Sequence, residues 1–173
     1  MNWEHASGVP SSEESQIMSV VMRRLNAAPR SRGELRTYLL GKEFESKEID
    51  TVLDRVESMG YIDDAQYALD WVRSRHRSRG LAPSVLTREL FRKDIDSELI
   101  EVAVRQISDQ DTQDRAYQLA AKKYRSLHEL ESKVAVRRIA SLLQRKGYAP
   151  GLCWQIATET VGAELEAVGD LEG

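Results

Sequence analysis

The sequence predicts an all-α fold, an elongated, curved tandem array of three three-helix repeats with about nine helices, and three observations carry that prediction. Apolar residues recur at three- and four-residue spacing through the long intervals between Pro10, Pro29, Pro83 and Pro150, each of which suits a helix boundary. Self-similarity is visible at a fixed offset: adding 51 residues, then 53, aligns Leu35 with Leu86 and Ile139, and Leu39 with Leu90 and Leu143. The same offsets align Lys42 with Lys93 and Lys146, Phe44 with Ile95 and Tyr148, Ile49 with Ile100 and Cys153, and Val52 with Ala103 and Ile156. Finally, a hydrophobic share of 41% in 173 residues supports several small cores without disulfides, the single Cys153 having no partner.

The elements follow in order. The first helix of each repeat is expected over 15–27, 64–77 and 112–126, where Ile17, Val21 and Leu25, then Ala68, Trp71 and Val72, then Ala116, Leu119 and Ala120 lie on one face. The 35/39 pair marks each second helix and the 49/52/56 set each third. Ser31 with Glu34 has capping-box spacing, and Ser46 or Asp96 suits the start of a third helix. The implied division is an acidic N-terminal tail over 1–14, repeats over 15–62, 63–109 and 110–162, and an acidic C-terminal tail over 163–173, both tails expected to be flexible. Trp71 and Trp154 are expected in the core.

Charge is distributed in blocks. From 70 to 93 seven basic residues face two acidic; from 94 to 114 one faces seven; from 115 to 148 nine face two; and 149–173 holds five acids and no base. A net charge of −3 therefore conceals positive surface able to meet a polyanion. The first block contains Arg73, Arg75, Arg77, Arg79, Arg88, Arg92 and Lys93; the other contains Lys122, Lys123, Arg125, Lys133, Arg137, Arg138, Arg145 and Lys146. These arginines and lysines, Lys133 apart, are the candidates for binding DNA or an acidic protein surface, although alternating arginines on a helix fan over about 200° and cannot share one face.

Catalysis finds no support. Asp63 and Asp64 are adjacent carboxylates, but they stand at a helix start, where capping accounts for them. His5, His76 and His128 lie in separate segments without a nucleophile motif, phosphate loop or metal-ligand spacing, so no catalytic residue, metal or cofactor is assigned. Residues 1–15 carry no apolar run and nothing approaches a membrane span, which predicts a cytoplasmic protein without membrane association.

One segment carries a family resemblance. Met59-Gly60-Tyr61-Ile62-Asp63-Asp64-Ala65-Gln66-Tyr67-Ala68, followed by Trp71, Arg75, Gly80, Leu86 and Glu89-Leu90, resembles the signature of the RecX family. Arg30-Ser31 with Glu34-Leu35 and Leu39, and Leu143-Gln144-Arg145-Lys146-Gly147-Tyr148, match the family's first- and third-repeat patterns, so the resemblance covers roughly residues 15 to 160. Within the signature, Gly60, Tyr61, Asp63, Asp64, Tyr67 and Ala68 read as structural, with Gly60 as a left-handed helix stop on which Tyr61 and Ile62 fold back. Glu43 and Asp94 stand where the family prefers glycine, so those two turns are expected to be made differently from the one at Gly147. The resemblance implies a non-enzymatic regulator, expected as a monomer, that binds the RecA filament on single-stranded DNA, touching the DNA directly or through the filament, and inhibits its recombinase, ATPase and co-protease activities. The basic helices leave open a helix-turn-helix transcription regulator, disfavoured because the third helices open with acidic or apolar residues, and a helical adaptor that binds no nucleic acid.

Overall fold

The computed structural model describes residues 11–169, with side chains to 163. Nine helices are present among them: α1 (Ser12–Ala27), α2 (Arg32–Leu40), α3 (Ser46–Ser58), α4 (Asp64–Arg79), α5 (Pro83–Phe91), α6 (Ser97–Val104), α7 (Asp109–Tyr124), α8 (Ser132–Arg145) and α9 (Pro150–Gly169). No strand occurs in the described residues. Consecutive triplets pack on themselves, and each has its own core. Ile17, Val21, Leu35, Leu39, Ile49, Leu53 and Val56 form that of repeat 1. Ala68, Val72, Leu86, Leu90 and Ile100 form that of repeat 2. Ala116, Ala120, Ile139, Leu143, Cys153 and Ile156 form that of repeat 3. The positions aligned by the 51- and 53-residue offsets are thus the buried ones, apart from the surface lysines and the half-buried Phe44.

Helix boundaries extend beyond the expected ones where local chemistry permits. α1 starts at Ser12 because Ser11 and Glu14 form a capping box, and α7 starts at Asp109 because Ser108 and Asp111 form another. α9 runs to Gly169, past the expected repeat end at 162, through the good helix formers of Ala163-Glu164-Leu165-Glu166-Ala167. The rest of the expected tails, 1–10 and 170–173, lies outside the described residues. Asp96 caps α6 as expected, but Ser46 is already inside α3 and its hydroxyl accepts a hydrogen bond from Arg36 instead. No described helix is long and apolar enough to cross a membrane.

The turn chemistry departs instructively from expectation. Gly60 adopts φ +77, and Gly60 and Tyr61 donate their N–H groups to Glu57 and Val56, the double bond of a left-handed helix stop. Ile62 folds back into the repeat 1 core, whereas Tyr61 is 57% exposed. Glu43 and Asp94 also have positive φ, 65 and 57, so those turns take the same left-handed conformation as Gly147 without glycine, contrary to expectation. An Asp tolerates this region better than most side chains, and the turn at Asp94 also closes with Ile95 N–H bound to Leu90.

Two joints connect the repeats, and they use equivalent elements. The start of α2 docks on the turn after α5: Ser31, fully buried, donates its hydroxyl to Lys93 O at 2.7 Å while capping its own helix. Gly33 is required there by close approach, since a Cβ would overlap that of Asp94. Fifty-one residues on, the start of α5 docks on the turn after α8: Ala82 N–H binds Lys146 O at 2.9 Å and Ser84 Oγ binds Gly147 O at 2.8 Å.

Candidate nucleic-acid interface

In the segment Arg73-Ser74-Arg75-His76-Arg77-Ser78-Arg79-Gly80 the arginines and serines recur four residues on, so each returns to nearly the same face one helical turn later. The fan of arginines consequently resolves into two pairs. Arg75 and Arg79 line a groove at the joint of repeats 1 and 2, together with Trp71, Ser74, Ser78 and Arg30. Arg73 and Arg77 line a different groove that also contains Asp111 and Asp114. The first pair's groove sets four cations, with Arg30 and Lys93, against Asp70 alone, whereas the second sets Arg73, Arg77 and Arg115 against two carboxylates.

Trp71 organises that groove. Its indole N–H donates to Glu89 at 2.9 Å, and its ring stacks with Tyr67 at 5.9 Å between centroids. The Arg75 guanidinium lies 4.1 Å and the Lys93 ammonium 4.2 Å from the Trp71 ring centroid, both cation–π distances. Trp71 is therefore half-buried, packed against the edge of the repeat 2 core with its indole N–H tethered in the groove. Trp154, the other expected core residue, is 46% exposed. Its repeat equivalents are Asp50 and Glu101, which already mark a surface position.

The groove at Arg79 continues. A second groove shares Ser78 and Arg79 with the first and adds Arg115, Lys122, Lys123 and Lys146. A third shares Lys123 with the second and adds Arg137, Arg138, Ser141 and Arg145. Two basic blocks separated in sequence by seven acids thus meet along one track from α4 to α8. Arg88, Arg92 and Arg125 are exposed but line none of these grooves; Arg88 and Arg92 flank Phe91, which is 62% exposed.

Two candidate lysines are engaged within the molecule. Lys93 pairs with Glu34 Oε1 at 2.6 Å, and Lys146 donates to Arg79 O. Both sit in the joints, which explains why a lysine recurs at this repeat position. Burial opposes the charge on Glu34, but hydrogen bonds from Lys93, the Ser31 N–H and Tyr67 outweigh it and hold the carboxyl below its ordinary range. The signature residues divide similarly: Ala68 is core, Asp63 caps α4 by accepting from Gln66 N–H, and Tyr67 donates to Glu34 at 3.0 Å. Asp64 does not cap its own helix; it accepts the Arg32 N–H at 2.9 Å across the joint, and burial pushes its pKa up.

Sequence reasoning did not single out Arg115, which donates to Arg77 O and so closes the C-terminal end of α4 against α7. It lay in the second basic block, but nothing local distinguishes it. Tyr148 shows a comparable long-range tie: it donates to Gly80 O at 3.1 Å, and burial pushes its hydroxyl up to about 12.

Electrostatics set repeat 1 apart. Arg32 pairs with Asp54 and Glu57 at 2.6 and 2.7 Å, and Arg36 with Asp50 at 2.9 Å. None of Arg75, Arg79, Lys122, Lys123, Arg137, Arg138 or Arg145 lies within ion-pair distance of a carboxylate among the described residues. The track can therefore accept the charges of an extended anion without first breaking internal pairs. Cys153 adds no reactivity, being buried in the repeat 3 core with its thiol pushed up by that burial.

Comparison with known proteins finds the same tandem three-helix organisation. Three family models match in order: the first three-helix domain of RecX over residues 18–55, the second over 63–104 and the third over 109–156. Among curated relatives, the regulatory protein RecX of Streptomyces coelicolor is 36% identical over 164 residues, covering 93% of this chain and 87% of that protein. The RecX of Thermobifida fusca is 34% identical over 163 residues, covering 94% and 86%. The crystal structure of RecX from Lactobacillus salivarius superposes with a TM-score of 0.75 at 21% identity, covering 87% of this chain and 97% of that one.

Proposed function

The chain belongs to the RecX family, and from that premise we propose that it is a regulator that binds the RecA filament on single-stranded DNA and restrains recombinase, ATPase and co-protease activity. Restraint follows from occupying the filament groove or blocking its extension. The observation that carries this reading is the cationic track without described carboxylate partners, which runs from α4 to α8 across the joint of repeats 2 and 3. A filament presents repeated subunits along a strand, and a tandem array with separate cores can lay successive repeats against successive subunits. Phosphate contacts supply affinity in small increments, one for each free cation. The reading assigns the chain no chemical step of its own.

The test is RecA-dependent ATP hydrolysis on single-stranded DNA with increasing amounts of the protein. The reading expects inhibition, at less than one molecule per RecA if extension is blocked and near stoichiometry if the groove is filled. Unchanged hydrolysis at every ratio contradicts it.

A further inference from the structure

The groove at the joint of repeats 1 and 2 has a construction that a generally basic surface does not require. Arg75 and Arg79 stand one turn apart, a rise of about 6 Å along α4, which is on the scale of the step between neighbouring phosphates in an extended strand. The Arg75 guanidinium carbon lies 4.1 Å from the Trp71 ring centroid, so a cation–π contact holds the group over the indole before any ligand arrives. Its outer face is able to receive a base, as guanidinium planes do in single-strand recognition, while its N–H edge makes no hydrogen bond to a described residue. Arg30 reaches the same groove from repeat 1, and its pair with Glu34 is long, 3.8 Å, because Lys93 holds that carboxylate more closely.

We propose that this groove holds two consecutive phosphates of one nucleic-acid strand, Arg75 and Arg79 meeting one each, with Arg30 gripping the strand from repeat 1. The inference rests on the nucleic-acid reading above and adds a consequence: the bound strand ties repeat 1 to repeat 2. The strand then continues through Arg79 into the bases of repeat 3. An acidic peptide would satisfy the cations but has no base to set against the paired indole and guanidinium.

The double variant Trp3→Phe/Trp154→Phe leaves Trp71 as the only indole of three, and Trp154 is exposed enough to be replaced. Oligothymidylate of about a dozen nucleotides, within the usual span of single-strand sites, is titrated against Trp71 emission and, in parallel, anisotropy. The expected result is an emission change that saturates with binding. Arg75→Ala/Arg79→Ala lowers the slope of log affinity against log salt by about 1.4 and weakens binding about 25-fold at 0.1 M salt, and Arg30→Ala lowers the slope by about 0.7. Arg75→Lys retains the slope and loses the emission change. A polyglutamate peptide of equal charge leaves the emission unaltered. Binding that is undiminished in Arg75→Ala/Arg79→Ala but lost in Arg137→Ala/Arg138→Ala/Arg145→Ala overturns this site while sparing the proposed function; an emission change with polyglutamate and none with the oligonucleotide overturns it in favour of a protein ligand. Failure of the oligonucleotide to bind at all overturns this site, while the proposed function is decided by RecA-dependent ATP hydrolysis.

Discussion

Repeat 1 and repeat 3 share a fold and differ in what they do with positive charge. In repeat 1 two arginines are internal ties: Arg32 joins α2 to Asp54 and Glu57 of α3, and Arg36 joins it to Asp50. In repeat 3, Lys122, Lys123, Arg137, Arg138 and Arg145 line open grooves without a described carboxylate partner. The same contrast appears where each meets repeat 2. Repeat 1 attaches through ionised side chains, with Glu34 on Lys93 and Asp64 on the Arg32 N–H. Repeat 3 attaches through backbone carbonyls and apolar contact, with Ala82 buried in the repeat 3 core and Val85 against Gly147. The carboxylates of repeat 3 do not pair with its groove-lining cations among the described residues, which leaves those cations available there.

Variants at the joints test this difference, beginning with the largest effect. At Gly147 a Cβ would overlap Val85 and sit at φ +89. Gly147→Ala should therefore cost about 2–4 kcal/mol, combining left-handed strain with overpacking. At Gly60, with similar φ but open space around it, the same change should cost only about 1–2 kcal/mol. Chemical denaturation of the two variants checks the ranking, and equal costs would show that the repeat 2–3 joint is looser than its contacts imply.

The ionic joint should respond to pH and the apolar one should not. Glu34 is held below its ordinary range when folded, so its contribution is present above about pH 4.5 and is lost as pH falls through the folded value. Glu34→Gln should cost about 1–2 kcal/mol near neutral pH and progressively less in acid, visible as faster amide exchange in α2. Asp64 has the opposite sign. Burial raises its pKa, so its charged form is penalised as pH rises through the folded value. Asp64→Asn, which keeps an oxygen for the Arg32 N–H, should change stability by less than about 0.5 kcal/mol. A large loss would mean that the charge itself holds the joint.

The sequence made the repeats legible because burial recurs at fixed offsets, and the Gly60 stop because a helix cap is local. The joints were hidden for a corresponding reason. Ser31 meets Lys93 and Ser84 meets Gly147 across some sixty residues, and no periodicity reports such pairs. Lys93 and Lys146 consequently looked like free cations, although the alignment of lysines at 42, 93 and 146 was already a structural signal. The position of Trp154 was available from its repeat equivalents Asp50 and Glu101. Charge counting located the basic blocks correctly but could not show that Arg79 and Lys123 join them into one track, nor that Arg73 and Arg77 turn toward Asp111 and Asp114.

The central proposal is that unpaired cations of repeats 2 and 3, and not the ion-paired Arg32 and Arg36 of repeat 1, meet the phosphates of a strand. Its most direct test is the salt dependence of single-stranded DNA binding for the wild-type chain, Arg137→Ala/Arg138→Ala/Arg145→Ala and Arg32→Ala/Arg36→Ala. The repeat 3 variant should lose about 2 from the slope of log affinity against log salt, and the repeat 1 variant should keep the wild-type slope despite reduced stability. The reverse pattern, or an unaltered slope in a folded repeat 3 variant, would contradict it.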